Sequence, residues 1–115
     1  MSDIDWEQMD MIADGYSAEF LEILNEFASE MPALLANLQT ACATGECDEV
    51  IKVAHQIKGS AANFGFRSVS TAAAEIESRA KAGSLDGCVE QLALAQTAFS
   101  ASLDELRASR GVSVS

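Results

Sequence analysis

Between Ser17 and Gly45 the apolar residues Phe20, Leu24, Phe27, Met31, Leu34, Leu35 and Leu38 recur in steps of three and four. That spacing lays one stripe along an α-helix of about seven turns, and it cannot line one face of a strand. Ser17 is a good N-cap, and Glu19 places a carboxylate in the first turn. Gly45 stands where a helix prefers its terminal glycine. Pro32 lies inside the stripe. It removes one hydrogen bond and crowds the carbonyl of Ala28, which predicts a kink rather than a stop. So long a helix with one apolar face must pack against other helices to bury that face.

The rest of the chain supplies them. A short helix is predicted over Asp3–Ala13, capped by Ser2 or Asp3, with Ile4, Met9 and Ile12 apolar; Asp14-Gly15 breaks it. A third spans Asp48–Phe64, with Asp48 as cap and Gly65 beyond its end. A fourth starts near Ser68, uses Val69, Ala72, Ala73, Ile76 and Ala80, and stops at Gly83. A fifth is capped by Asp86 and uses Val89, Leu92, Phe99, Leu103 and Leu106. Twenty alanines and a single proline favour helix throughout. The expected fold is all-α: an antiparallel up-down four-helix bundle with a short additional N-terminal helix covering one end. The 115 residues make one domain, expected over 1–108, with 109–115 a flexible tail.

The formal net charge is -11, from 18 acidic and 7 basic residues. Nucleic acid and anionic membrane surfaces both attract Lys and Arg, so neither is an expected partner. The acidic start Met1-Ser2-Asp3-Ile4-Asp5 lacks the pattern of a secretory signal, and no apolar run approaches the ~18 residues of a membrane span. Cys42, Cys47 and Cys88 form no CxxC pair, and with one histidine there is no Cys/His metal constellation. They read as three small hydrophobes in a reducing compartment, and the chain as cytoplasmic.

The third helix holds the chemistry. At about 100° per residue, Val50, Val53, Ala54, Ile57, Ala61 and Phe64 share one arc, which must face the core. His55 falls roughly 150° from the centre of that arc, so the chain's one histidine faces water. Gly59 lies one turn after it, Ala62 almost two turns after, and Ile51 one turn before. Lys52 and Lys58 flank it at minus three and plus three, which on a helix makes them direct neighbours.

A lone surface histidine is usually polar decoration, a helical lysine a solvated charge, and a mid-helix glycine a close helix contact. Together on one face they acquire a joint use. A neutral imidazole nitrogen is a competent nucleophile near neutral pH. A phosphoryl group on it would add negative charge, which Lys58 and Lys52 could offset. Gly59 costs about 1 kcal/mol against alanine in a helix interior. On an outward face, packing does not explain that cost. Removing a side chain beside His55 does, because it lets another protein's backbone approach the ring.

The stretch Ala54-His55-Gln56-Ile57-Lys58-Gly59-Ser60-Ala61-Ala62-Asn63-Phe64-Gly65 resembles the motif of histidine-containing phosphotransfer (HPt) domains. The pattern is His, two residues, Lys-Gly, a small residue, then a helix-ending Gly. Phe27, Glu30, Pro32 and Leu38 are similar to that family's second helix, and Ala72, Ile76 and Glu77 to its fourth. The likeness covers roughly residues 4–107. It implies that His55 accepts a phosphoryl group through its outer ring nitrogen, that Lys58 helps neutralise it, and that Gly59 gives access. It implies partners of two kinds: response-regulator receiver domains, and a hybrid sensor histidine kinase. The receiver's magnesium ion assists transfer, and this chain binds no cofactor or metal of its own. The absence of GxxxxGK[ST] and of a glycine-rich ATP lid agrees with a carrier that has no kinase activity. Ile51, Lys52, Gln56 and Ala62 would surround His55 in a modest transient interface.

Counting back across the Gly65–Arg67 connection places residues 74–78 level with His55. Ala74 and Glu77 are the candidates there, with Arg79 near; a carboxylate would disfavour phosphate unless it points away. The resulting expectation is a monomeric phosphorelay intermediate; one domain that begins with Met fits a stand-alone protein, and an excised domain would look the same. The rivals are a helical adaptor or dimerisation module without covalent chemistry, and a metal-binding bundle, which the scarcity of histidine disfavours.

Overall fold

The protein is described by a computed structural model over residues 2–114. Among these residues there are five helices and no strand: α1 (Trp6–Ala13), α2 (Ala18–Thr44), α3 (Cys47–Asn63), α4 (Arg67–Lys81) and α5 (Cys88–Arg110). Helices α2 to α5 form the bundle that the periodicity predicts. Each packs on the next, α3 most extensively on α4, and α2 closes the ring against α5. At a rise of about 1.5 Å per residue α2 spans about 40 Å. That is nearly the whole long axis of the molecule, 43 Å. It starts as expected, with the Ser17 side chain accepting from the Phe20 N–H, and ends at Gly45 in the left-handed region. Pro32 sits inside it without ending it.

Three helix starts differ from the sequence reading. Asp5, not Asp3 or Ser2, caps α1, accepting from the Gln8 N–H. Asp3 is engaged elsewhere: its carboxylate and its carbonyl both accept from Ser68 at the start of α4. Helix α3 begins at Cys47 with Glu46 at the cap position and no side-chain cap bond, which leaves Asp48 in the first turn. There its charge still favours the positive end of the helix dipole. Helix α5 starts one residue after Gly87, which takes φ 77°, so Asp86 is displaced from the cap position. The Asp86 carbonyl is instead held by Arg79.

Residues 109–114 are not the frayed tail that their composition suggests. Helix α5 continues to Arg110, and Val112 is buried. Arg110 is the reason. Its guanidinium donates to both carboxylate oxygens of Asp10 on α1 and lies 4.2 Å over the Trp6 ring. Trp6 in turn donates its indole N–H to Glu105. The short α1 is thereby fastened to the end of α5 by polar contacts that a helix wheel of either segment cannot show.

The cysteine reading also needs correction. Cys42 on α2 and Cys88 on α5 are joined by a disulfide, with Cα atoms 6.4 Å apart, and only Cys47 is free. Cys42 extends the buried α2 stripe one turn beyond Leu38, so it meets α5. A separation of 46 residues hides that meeting from the sequence. No helix among the described residues is long and apolar enough to cross a membrane.

At the α1 end the core is aromatic. Phe27 stacks on Phe64 at 4.6 Å between centroids and meets Phe66 edge-on at 4.9 Å; Phe20 and Phe99 complete the cluster. Phe64 and Phe66 bracket the α3–α4 turn, so their burial pins it and fixes the register of the two helices. Gly65 between them has φ +76°, and a Cβ there would stand 2.8 Å from the Asp5 carbonyl oxygen. The Gly65 carbonyl also accepts from the Asp5 N–H at 2.7 Å. Gly65→Ala is expected to cost about 2 kcal/mol or more, from strain and the lost close approach. Urea denaturation of the two chains measures it; equal midpoints would contradict this account of the turn.

Candidate functional site

The pinned turn determines what faces His55. His55 and Glu77 are 22 residues apart, and Phe66 at the turn lies midway between them. In an antiparallel pair, residues equally far from the turn come level. Of the two candidates on α4, Glu77 is the one that meets the imidazole.

The His55 side chain is 68 % exposed, whereas that of Glu77 is 5 % exposed. Glu77 Oε2 lies 2.8 Å from His55 Nδ1, and Glu77 Oε1 accepts from Lys58 Nζ at 2.5 Å. Lys81, one turn along α4, brings its Nζ to 3.4 Å from Oε2. The Lys58 hydrogen bond, opposed by burial and helped by the His55 bond and the nearby Lys81 ammonium, holds the Glu77 carboxyl down at about 2. Glu77 is therefore an ionised carboxylate at neutral pH, and a carboxylate only accepts. In a neutral ring the proton must then sit on Nδ1, donated to Glu77. Nε2, across the ring from Glu77, keeps its lone pair on the exposed side.

The sequence leaves open whether a carboxylate at this level turns away from His55, and it does not. Glu77 points straight at the ring. Its charge is compensated by two ammonium groups, and it sits behind the imidazole rather than beside Nε2. Arg79 contributes nothing here: it bonds Glu75 and the Asp86 carbonyl, away from His55. Ala74 is half-buried and makes no polar contact. The role of Glu77 is the main thing the wheel of α3 could not reveal. One signal was available: Glu77 flanks the buried arc of α4, four residues after Ala73 and three before Ala80. A carboxylate there must find cations or cost folding energy.

The remaining residues around His55 lie as follows. Gly59, Lys52, Gln56 and Ala62 are exposed, Lys58 is partly buried, and Ile51 is half-buried against the core. The wheel thus places Ile51 too far outward. Gly59 would meet nothing within 4 Å if it carried a Cβ. The gap beside the ring is therefore open to solvent, and no helix contact accounts for the missing side chain. Gly59→Ala is expected to leave the fold intact and raise stability by up to about 1 kcal/mol. A thermal melt reads that gain; a loss would show that the site is packed after all.

Among the described residues no group of three His, Cys, Asp or Glu side chains converges on a metal position. Around His55 the Glu77 carboxylate is already met by the Lys58 and Lys81 ammonium groups. A surface cavity of about 660 Å³ between α4 and α5, lined in part by Thr71, Leu94 and Thr97, lies apart from this cluster.

The family model described as Hpt domain matches residues 22–109, which takes in α3, α4 and nearly all of α2 and α5. Neither a curated protein nor a solved structure matches the chain.

Proposed function

Because the chain belongs to the family of Hpt domains, phosphotransfer modules of two-component signalling, we propose that it is a relay intermediate that carries a phosphoryl group on His55. In this reading a phospho-aspartate of one receiver domain is the donor and an aspartate of another the acceptor. A hybrid sensor histidine kinase feeds the first. The single observation that supports it is the Glu77 contact: an ionised carboxylate on Nδ1 leaves Nε2 as an exposed nucleophile.

The step balances on these atoms. The Nε2 lone pair attacks phosphorus, the new N–P bond forms, and the P–O bond to the donor aspartate breaks, releasing its carboxylate. No proton leaves the ring. The Nδ1–H stays bonded to Glu77, whose negative charge offsets the positive charge that the phosphorylated ring acquires. Lys58 stands beside the incoming phosphoryl oxygens and gives up part of its hold on Glu77. Transfer onward is the reverse. The magnesium ion belongs to the receiver, and this chain contributes no ligand to it.

Gly59 and Ala62 leave room for the receiver's backbone, with Ile51, Lys52 and Gln56 around them in the proposed contact surface. A transient interface of this kind is small and polar at its rim. Lys52 supplies positive charge at that rim, against an otherwise acidic molecule, and so speeds encounter with an acidic receiver site.

The test is incubation with a ³²P-labelled receiver domain. The reading expects label on this chain that survives alkali and is lost in acid, as a phosphoramidate is. A chain that binds receivers yet never takes label would be an adaptor instead.

A further inference from the structure

We propose that Lys81 is a third cation of the phosphoryl site, a positioning residue that steadies the phosphorylated ring through the oxygen it shares with His55. This rests on the reading of His55 as phosphoacceptor.

The chain has only three lysines, Lys52, Lys58 and Lys81. In a molecule of net charge -11, two flank His55 on α3 and the third reaches the same carboxylate from α4. Glu77 does not need Lys81. Its Oε1 is satisfied by Lys58 at 2.5 Å and its Oε2 by His55 at 2.8 Å. At 3.4 Å, Lys81 lies beyond ordinary hydrogen-bond reach of Oε2, and its side chain is 60 % exposed. It is a loosely held charge in surplus over what the buried carboxylate requires.

A plain Glu–Lys pair at i,i+4 on a helix surface is the simpler account of this contact. Its geometry argues otherwise. Lys81 approaches Oε2, the oxygen turned toward His55, which brings its ammonium over the α3–α4 seam. The two nitrogens on that oxygen are at most about 6 Å apart. The flexible four-carbon stem can carry the ammonium the remaining distance to a group on Nε2. Before phosphorylation Lys81 guards the carboxylate that orients the ring. Afterwards the phosphoryl group is the stronger anion, and Lys81 turns to it while Glu77 keeps the Nδ1–H. Lys81 makes and breaks no covalent bond, so its effect falls on how readily the phosphorylated ring forms and how long it lasts.

The experiment uses the full chain and potassium phosphoramidate, a small donor that phosphorylates imidazoles without a partner protein. Wild type, Lys81→Gln and Lys81→Arg are followed by ³¹P NMR at neutral pH, for formation and then for decay after the donor is removed. Lys81→Gln should form phosphohistidine about fivefold more slowly and lose it about fivefold faster, the upper end of what one solvent-exposed charge contributes to an ion pair. Lys81→Arg should stay within about twofold of wild type, since it restores the charge. Melting of both variants should stay close to wild type, because Glu77 keeps its hydrogen bonds to Lys58 and His55 when Lys81 is replaced. Wild-type rates in Lys81→Gln, or equal losses in both variants, would overturn the role of Lys81 alone. A wild-type chain that takes no label from phosphoramidate or from a labelled receiver overturns the His55 reading, and this proposal with it.

Discussion

His55→Gln is expected to take no acid-labile label from a phosphorylated receiver, while its binding to that receiver should stay within a few-fold of wild type. The effect on transfer is complete because the N–P bond needs this nitrogen and the chain has no second imidazole. The effect on folding is small because the side chain is 68 % exposed and its one polar partner, Glu77, keeps Lys58. Scintillation counting of the acid- and alkali-treated chain measures the first effect, and calorimetric titration with the receiver measures the second. Residual label on His55→Gln would place the acceptor on another side chain.

Glu77→Gln is the second large effect, and it acts on rate and stability together. The amide has the shape of the carboxylate but cannot offset the positive ring, and its NH₂ group opposes one of the donors that Glu77 now receives. Transfer should fall by about 10- to 100-fold, the usual cost of removing a carboxylate that fixes the tautomer and orientation of a working imidazole. Stability at neutral pH should fall by on the order of 3 kcal/mol, the linkage value of a carboxyl held at about 2 against an ordinary 4.5. The sign follows from the folded state binding its proton less readily than the unfolded state. The contribution is fully present above about pH 4.5 and is lost as pH falls toward 2. Urea melts across that range should therefore show the two chains converging at low pH. Parallel curves would mean that Glu77 is not held by its cations in solution.

Much of the fold was legible because apolar steps of three and four admit few alternatives. The stripe on α2 and the arc on α3 each named a helix and its buried face. What stayed hidden was settled between elements. Asp3 could not be known to bond Ser68, nor Arg110 to bridge Asp10 and Trp6, since those partners are distant in sequence. Cys42 and Cys88 show the same limit. At the site, His55, Lys58 and Gly59 share one turn of one helix, so their mutual placement was readable. Glu77 joins them only because the aromatic turn around Gly65 sets the register of α4 against α3. Sequence counting brought it level with His55, but its direction, and the compensation by Lys58 and Lys81, required the packed pair. Ile51 marks the error inherent in a wheel: a rotation of a few tens of degrees turns a boundary residue from fully outward to half-buried against the core.

The most direct test is a ³¹P–¹H correlation spectrum of the chain after phosphorylation. Nε2 is bonded to both ring carbons that carry hydrogen, Cδ2 and Cε1, whereas Nδ1 is bonded to only one of them. The account predicts a phosphorus resonance correlated with both ring protons of His55. Correlation with Hε1 alone would put the phosphoryl group on Nδ1, where Glu77 now sits, and would contradict the arrangement on which the mechanism is built.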